Sequence, residues 1–435
     1  MSVPLYALVD GNNFYVSCER VFRPSLYGRA VVVLSNNDGC AIARSNEAKA
    51  LGIKMGTPWF EIRGKLPEGA VVALSANFGL YGDMSNRMMS LAAGLGPSQE
   101  IYSIDESFVD VTGVRDVTAR AKRVRDRVLQ WTGLPCGIGI GQTKTLAKLA
   151  NFVAKTAERK PGSYPSELAQ VANLSALPAS DFEAVLAATE LGEVWGIGRK
   201  MGEQLRAAGL VTVLDVVRMD VATVRRRWGV VLERTLRELQ GIPCVELESQ
   251  PAAKKEIAST RSFGTPVTQL EDLIEAVTEF CQRAAEKLRR QGSFAGQVGV
   301  FVHTSAFRKQ DRQYSRAMVT PLRRPTSDTG HIVHAAVQGL RAIYRPGFNY
   351  AKAGVHLMDL QDSSVEQHEL ALDDGVPDRS SVMGAIDDLN VRFGKGTVGM
   401  ASAGLSGSRR IWTMKQERKT PNYTTNWDEM PQVIA

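Results

Sequence analysis

The order of buried strands and amphipathic helices in the first third of the sequence constrains the fold more than any other feature. A buried strand, Leu5 to Asp10, leads into a helical stretch from Phe14 to about Phe22, and AVVVLSN, Ala30 to Asn36, reads as a second strand. SNEAKALGIKMGTPWF starts as a helix at Ser45 and stops at Gly52, the usual helix-ending residue. Asn77 to Leu95 is amphipathic, and a hairpin is expected around Asp105. Thr118 to Gly133 forms a basic amphipathic helix ahead of the strand CGIGIG, Cys136 to Gly141, and TKTLAKLANFVAK is a further helix. The order β-α-β-α-β-β-α-β-α implies a mixed sheet with helices packed on it, an α+β domain. With 435 residues the chain exceeds one ordinary core, so two to four domains are expected.

The hairpin carries an anomaly. In EIYSIDESFVDVTG, Ile101, Ile104, Phe108, Val109 and Val111 supply the apolar content of a half-buried strand pair, yet Asp105 and Glu106 stand side by side within it. An exposed turn would accommodate such a pair. Asp10 offers another reason: it ends the first strand just before Gly11-Asn12, so a carboxylate projects from a sheet edge. If that strand lies beside the Asp105 hairpin, three carboxylates converge, an arrangement that requires compensating cations. Two Mg²⁺ ions about 3.5 to 4 Å apart, bridged by Asp10 and Asp105, would serve an in-line phosphoryl displacement. Asp110, farther along the strand, reads as structural.

Charge distribution points to a polyanion. Residues 1–193 hold 20 Lys and Arg against 19 Asp and Glu, whereas 194–245 hold 9 against 5 and 250–360 hold 16 against 9. The basic surplus therefore lies outside the region of the carboxylates, which fits nucleic acid gripped by one part while chemistry occurs in another. Within that surplus, Gly196-Ile197-Gly198 followed by a helix up to Gly209 has the shape of a helix-hairpin-helix element. Its glycines let backbone N–H groups approach a phosphate, with Arg199, Lys200 and Arg206 nearby.

Other function classes find little support. No apolar run approaches a membrane span and the N-terminus lacks signal-peptide character, so a cytoplasmic protein without membrane partners is expected. Cys18, Cys40, Cys136, Cys244 and Cys281 have no CxxC spacing and read as reduced thiols. His331 and His334 read as a helix surface. Polar, proline-containing stretches near Pro161 to Pro178 and Glu246 to Lys254 read as linkers.

VDGNNFYVSCE, RSNEAKALGIKMG, YSIDESF, GIGQTKTLAKLANFVAK and VWGIGRKM together resemble Y-family, translesion DNA polymerases, and most closely the UmuC-type subfamily of bacterial DNA polymerase V and its plasmid-borne relatives. DDLNVRFGKGTV and WTMKQERKTPNYTTNWDEM resemble the C-terminal extension of that subfamily. The resemblance implies a right-hand polymerase: a ferredoxin-like palm at 1–22 and 76–172, small fingers at 23–75, a helical helix-hairpin-helix thumb at 173–246, an α/β little finger at 250–360 and a partner-binding extension at 361–435. It further implies that Asp10, Asp105 and Glu106 are the catalytic metal carboxylates, with the Gly11 carbonyl a further ligand of two Mg²⁺ ions. Tyr15 matches the steric gate that clashes with a ribose 2′-hydroxyl, preceded by Phe14 in the same motif.

Lys155 matches the palm lysine on the triphosphate, while Arg44, Ser45, Asn46 and Lys49 fall in the segment that cradles phosphates. Lys49 stands where many relatives have Arg, which replaces a bidentate fork by a point charge, and Asn12 stands where some have a second Asp. Gly196, Gly198, Arg199 and Lys200 are the expected DNA contacts. Primer-template DNA and dNTP are the implied substrates, with a UmuD′-type dimer, RecA and the sliding clamp as implied partners. For the clamp, Gln367, Leu370 and Leu372 keep part of a short binding peptide whose aromatic residue is missing. A non-catalytic DNA-binding scaffold and a palm-containing nucleotide cyclase are the competing classes. The intact carboxylates count against the first, and the helix-hairpin-helix with the basic 250–360 segment against the second.

Overall fold

The computed structural model describes residues 3–248, 250, 252–364, 379–404 and 410–431. It divides into two units: residues 1–35, 39–251 and 418–435 form the first, and residues 36–38 with 252–417 the second.

The first unit contains a five-stranded sheet and a smaller three-stranded one. Strands β1 (Tyr6–Gly11), β2 (Val31–Leu34), β3 (Ala41–Arg44), β4 (Val72–Ser75), β5 (Ser98–Ile101), β6 (Glu106–Asp110), β7 (Cys136–Gly141) and β8 (Val171–Asn173) are its ladder elements. The larger sheet runs β5-β6-β1-β7-β8 and the smaller β3-β2-β4. The sequence order suggested one mixed sheet; the strand at Ala30 to Asn36 instead nucleates a separate one, since β2 pairs β4 in parallel and β3 antiparallel. Helices α1 (Phe14–Phe22), α2 (Asn46–Ala50), α3 (Trp59–Lys65), α4 (Phe78–Ala92), α5 (Val117–Thr132) and α6 (Lys144–Arg159) are interspersed with these strands. Apolar residues of β1, β6, β7, α1, α4 and α5 share one core, including Val9, Val16, Tyr81, Met88, Val109, Val124 and Ile138.

The seat of α6 on β7 fixes the site. CGIGIG alternates apolar side chains with glycine, and a Cβ at Gly139 would lie 2.1 Å from the Asn151 backbone nitrogen and 2.3 Å from the Ala147 carbonyl oxygen. Only glycine admits backbone at that distance, so α6 lies flush on the sheet. Thr143 caps α6 by accepting from the Leu146 N–H, and Asn151 donates to the Gly137 carbonyl at 2.8 Å from within the buried seam.

The chain continues through α7 (Ala179–Ala187), α8 (Arg199–Ala207), α9 (Val213–Val217), α10 (Val221–Trp228) and α11 (Val230–Leu239), whose apolar faces form a core with α6. The second unit holds β9 (Ile257–Val267), α12 (Leu270–Arg290), β10 (Ser293–Thr304), β11 (Ser315–Thr326), α13 (Thr329–Ile343), β12 (Tyr350–Asp362) and α14 (Ser380–Phe393). Its antiparallel sheet runs β11-β10-β12-β9, with α12 and α13 supplying Leu273, Val277, Phe280, Ala284, Ile332, Ala336 and Leu340 to the core. His331 and His334 are exposed on α13, as expected of a helix surface. Trp412 is buried in the same core, edge-on to Phe280, whereas residues 418–431 belong to the first unit.

Candidate active site

Asp10, next to last in β1, lies directly opposite Glu106, the first residue of β6, and the Gly11 N–H donates to the Asp105 carbonyl at 2.9 Å. The turn before β6 is knotted by Ser103, whose hydroxyl accepts from the Asp105 and Glu106 N–H groups and donates to the Asp105 carboxylate at 2.7 Å. The strand-interrupting acidic pair therefore sits where a hairpin turn passes into a strand, beside the end of β1.

Two of the three charges are met by α6. Lys155 Nζ lies 2.6 Å from Asp10 Oδ1, and Lys148 Nζ lies 3.0 Å from Glu106 Oε2. The Asp10 carboxyl is raised to about 6, chiefly by burial, with Lys155 opposing and Glu106 and Asp105 adding to the rise. Among the described residues no three His, Cys, Asp or Glu side chains are closed up into a ligating group, because Asp10 and Glu106 turn to lysines and Asp105 to Ser103. The backbone brings the three acids together as the sequence implied, while their side chains meet ammonium and hydroxyl groups instead of one another. An all-oxygen set of mutually repelling carboxylates, half-buried and neutralised by cations, fits a hard divalent ion.

Tyr15 stands on the first turn of α1. Its ring stacks on Tyr81 with centroids 4.4 Å apart and meets Phe78 edge-on at 6.1 Å, while Phe14 points into the core. Asn13, in the left-handed conformation, accepts from Lys49 Nζ at 2.5 Å through its side-chain oxygen and donates its side-chain amide to Asn46 Oδ1 at 3.0 Å. Lys49 is lowered to about 8, first by burial and then by Arg159, Arg44 and Lys155, so four cations share this region. Arg44 donates to the Ile53 carbonyl at 2.7 Å. Ser45 is fully buried, and its hydroxyl is committed to capping α2 and to the Val31 N–H.

The sequence reading missed Lys148 and Tyr81. Lys144, Lys148 and Lys155 lie on one stripe of α6, a spacing visible in TKTLAKLANFVAK; Lys144 spends its charge on the buried Glu100 at 2.7 Å. Lys148 also lies 4.4 Å from the Tyr102 ring centroid and 5.1 Å from that of Trp195. At the helix hairpin, Gly196 has φ of +95° and Gly198 opens α8 without a side-chain cap, with Arg199 and Lys200 exposed. Gln367, Leu370 and Leu372 lie outside the described residues.

Residues 9–151 match the impB/mucB/samB family, 254–370 its C-terminal domain and 179–210 the family's HHH motif, while 380–433 match a domain of unknown function. UmuC of Salmonella typhimurium is 44% identical over 99% of this chain and 100% of its own length. The chain belongs to the impB/mucB/samB family of Y-family DNA polymerases. MucB of Escherichia coli is 40% identical over 98% of this chain and 99% of its own, and DNA polymerase IV of Moorella thermoacetica 27% identical over 89% and 93%. A Y-family DNA polymerase chimera superposes with a TM-score of 0.62 at 17% identity, covering 82% of this chain and 99% of the chimera, which establishes the shared right-hand fold. This Y-family polymerase is a DNA-directed DNA polymerase of the error-prone translesion type, in a family of metal-dependent nucleotidyltransferases. Nothing in these similarities supports a non-catalytic scaffold. Among the described residues no helix is long and apolar enough to cross a membrane.

Proposed function

We propose that Asp10, Asp105 and Glu106, with the Gly11 carbonyl, hold two Mg²⁺ ions for transfer of a nucleotide from dNTP to the primer 3′-hydroxyl. The supporting observation is the cross-strand placement of Asp10 against Glu106 with Asp105 bonded through its carbonyl to Gly11, Asp10 and Glu106 facing Lys155 and Lys148 while Asp105 meets only the Ser103 hydroxyl. When bound, such a metal pair lowers the pKa of the attacking hydroxyl and stabilises the leaving pyrophosphate. The protein's own part is to orient these carboxylates from rigid strand ends and to place α6 lysines within reach of the triphosphate. Lys155 and Lys49 are the triphosphate cations in this reading, with Arg44 beside them. Phe14 and Ser45, both buried, and Asn46, bonded to Asn13, shape the pocket.

Tyr15 is the sugar gate, its ring backed by Tyr81. Gly196, Gly198, Arg199 and Lys200 receive the DNA backbone at the N-terminus of α8. The domain assignment is a palm at 1–22 and 76–172, fingers at 23–75, a thumb at 173–246, a DNA-gripping little finger at 250–360 and an extension at 361–435, supported by the basic surplus of the middle segments. In this reading the extension serves the partners that the resemblance implies, a UmuD′-type dimer, RecA and the clamp, and the enzyme acts with the nucleoid in the cytoplasm.

Primer extension by Asp105→Asn on damaged and undamaged templates, with and without a UmuD′-type partner, tests the metal site. Loss of Mg²⁺-dependent synthesis with primer-template binding retained is expected. Extension at the wild-type rate would refute the assignment.

A further inference from the structure

Residues 418–431 form a strap that is knitted into the first unit mainly through its own main chain. Arg418 exchanges bonds with the edge strand β4: its carbonyl accepts from the Ser75 N–H at 3.0 Å and its N–H donates to the Ser75 hydroxyl at 2.9 Å. The Asn77 amide, at the N-cap of α4, donates to the Thr420 carbonyl at 3.1 Å and the Pro421 carbonyl at 3.0 Å. Tyr423 stacks on Phe22 of α1 with ring centroids 4.9 Å apart. The strap's turn is closed by Glu429, which accepts from the Asn422 and Asn426 side-chain amides at 3.0 and 2.8 Å.

From this strap a short relay reaches Tyr15. The Thr420 hydroxyl donates to Glu19 Oε1 at 3.1 Å, the Tyr81 hydroxyl donates to the same oxygen at 2.7 Å, and the Tyr81 ring is the one stacked on Tyr15. Thr420, Glu19 and Tyr81 are all buried. Tyr81 is thus held at its hydroxyl by Glu19, which Thr420 holds in turn, and through its helix start by Asn77, and both grips include the strap. An aromatic ring excludes an extra hydroxyl only if it cannot recede, so the stiffness of its backing governs discrimination.

We propose that residues 418–431 are a positioning element for Tyr15: through Thr420, Glu19 and Tyr81 the strap sets the selection of deoxyribose over ribose. This rests on the reading of Tyr15 as the sugar gate, and the test separates the two. The measurement is single-nucleotide incorporation by the full-length chain with dNTP and with the matching rNTP, expressed as the ratio of kcat/KM values.

Thr420→Val keeps the side chain's shape and removes its hydroxyl. It should lower the ratio by about threefold to tenfold, the scale of one buried hydrogen bond, through faster ribonucleotide incorporation. Thr420→Ser should restore it, and Thr420→Val should add nothing in a Tyr15→Ala background. Tyr423→Ala, which loosens the strap at Phe22, should move the ratio the same way and decides the matter if Thr420→Val does not fold. A shifted ratio in Tyr15→Ala with none in either strap variant overturns the inference and leaves the gate standing. An equal fall for both nucleotides also overturns it, since that marks a merely structural strap. An unchanged ratio in an active Tyr15→Ala enzyme removes the gate and the inference together.

Discussion

Two carboxyls on the same short stretch of chain, Asp10 and Glu19, are both raised by burial, yet they have opposite surroundings. Asp10 keeps 17% of its side chain exposed, faces a lysine ammonium at 2.6 Å and stands beside two further acids. Glu19 is fully buried; among the described residues its Oε1 accepts from the hydroxyls of Tyr81 and Thr420, and its Oε2 has no hydrogen-bond partner. Burial alone therefore does not distinguish a site from a structural pin. Access and partner type do: an ammonium on an open strand end can be exchanged for another cation, whereas the buried Glu19 carboxylate is held by hydroxyls.

The sharpest way to break this comparison is to neutralise each acid in turn. Asp10→Asn should reduce Mg²⁺-dependent primer extension by about a thousandfold or more while primer-template affinity, measured by fluorescence anisotropy, stays within a few-fold. Glu19→Gln should leave most of the extension rate. Equal losses would show that both carboxyls serve the same purpose.

Next in size is the support beneath Asp10. Gly139→Ala places a methyl 2.1 Å from backbone nitrogen of α6, and no side-chain rotation relieves a backbone clash. The helix must lift, taking Lys148 and Lys155 from Glu106 and Asp10. A loss of about 3 kcal/mol in unfolding free energy, with extension falling in parallel, is expected from denaturant titration. A smaller change awaits Lys155→Met, which removes a charge without moving α6. The KM for dNTP should rise by about tenfold with a lesser change in kcat, read from steady-state incorporation.

These contrasts also show what the sequence could convey. The acidic edge was legible because Asp105 and Glu106 interrupt an apolar pattern and Asp10 ends a buried strand, both local signals. CGIGIG was legible as a strand, but its glycines acquire meaning only from the α6 backbone against them. Lys148 was hidden because its partner Glu106 lies on another element, and nothing in TKTLAKLANFVAK itself announces that pairing. The short strands β3 and β4 escaped notice because β3 is four residues long and joins β2 with a register shift, while β4 pairs with β2 in parallel across a long connection. The strap was the least legible of all. Its grips are the carbonyls of Arg418, Thr420 and Pro421, groups that every sequence carries, and its polar, proline-containing run has no periodicity.

The smallest expected effect concerns the pH dependence of stability at Glu19. Its folded-state pKa is raised above the ordinary value of 4.5, chiefly by burial, with Tyr81, Thr420 and Arg23 opposing. The folded protein therefore holds this proton to higher pH than the unfolded chain. By linkage, stability from this group is fully present below pH 4.5 and declines as pH rises through the raised value, the reverse of an ordinary salt-bridged acid. Glu19→Gln retains an Oε1 acceptor for both hydroxyls and removes the titration. Its absolute stability is set partly by the new amide, which replaces an unpartnered oxygen, so the informative quantity is the slope. Thermal unfolding of both proteins from pH 4.5 to pH 8 should show wild type losing stability relative to Glu19→Gln as pH rises. Parallel curves would mean that the carboxyl ionises freely in the folded state, and the contrast with Asp10 would then rest on access alone.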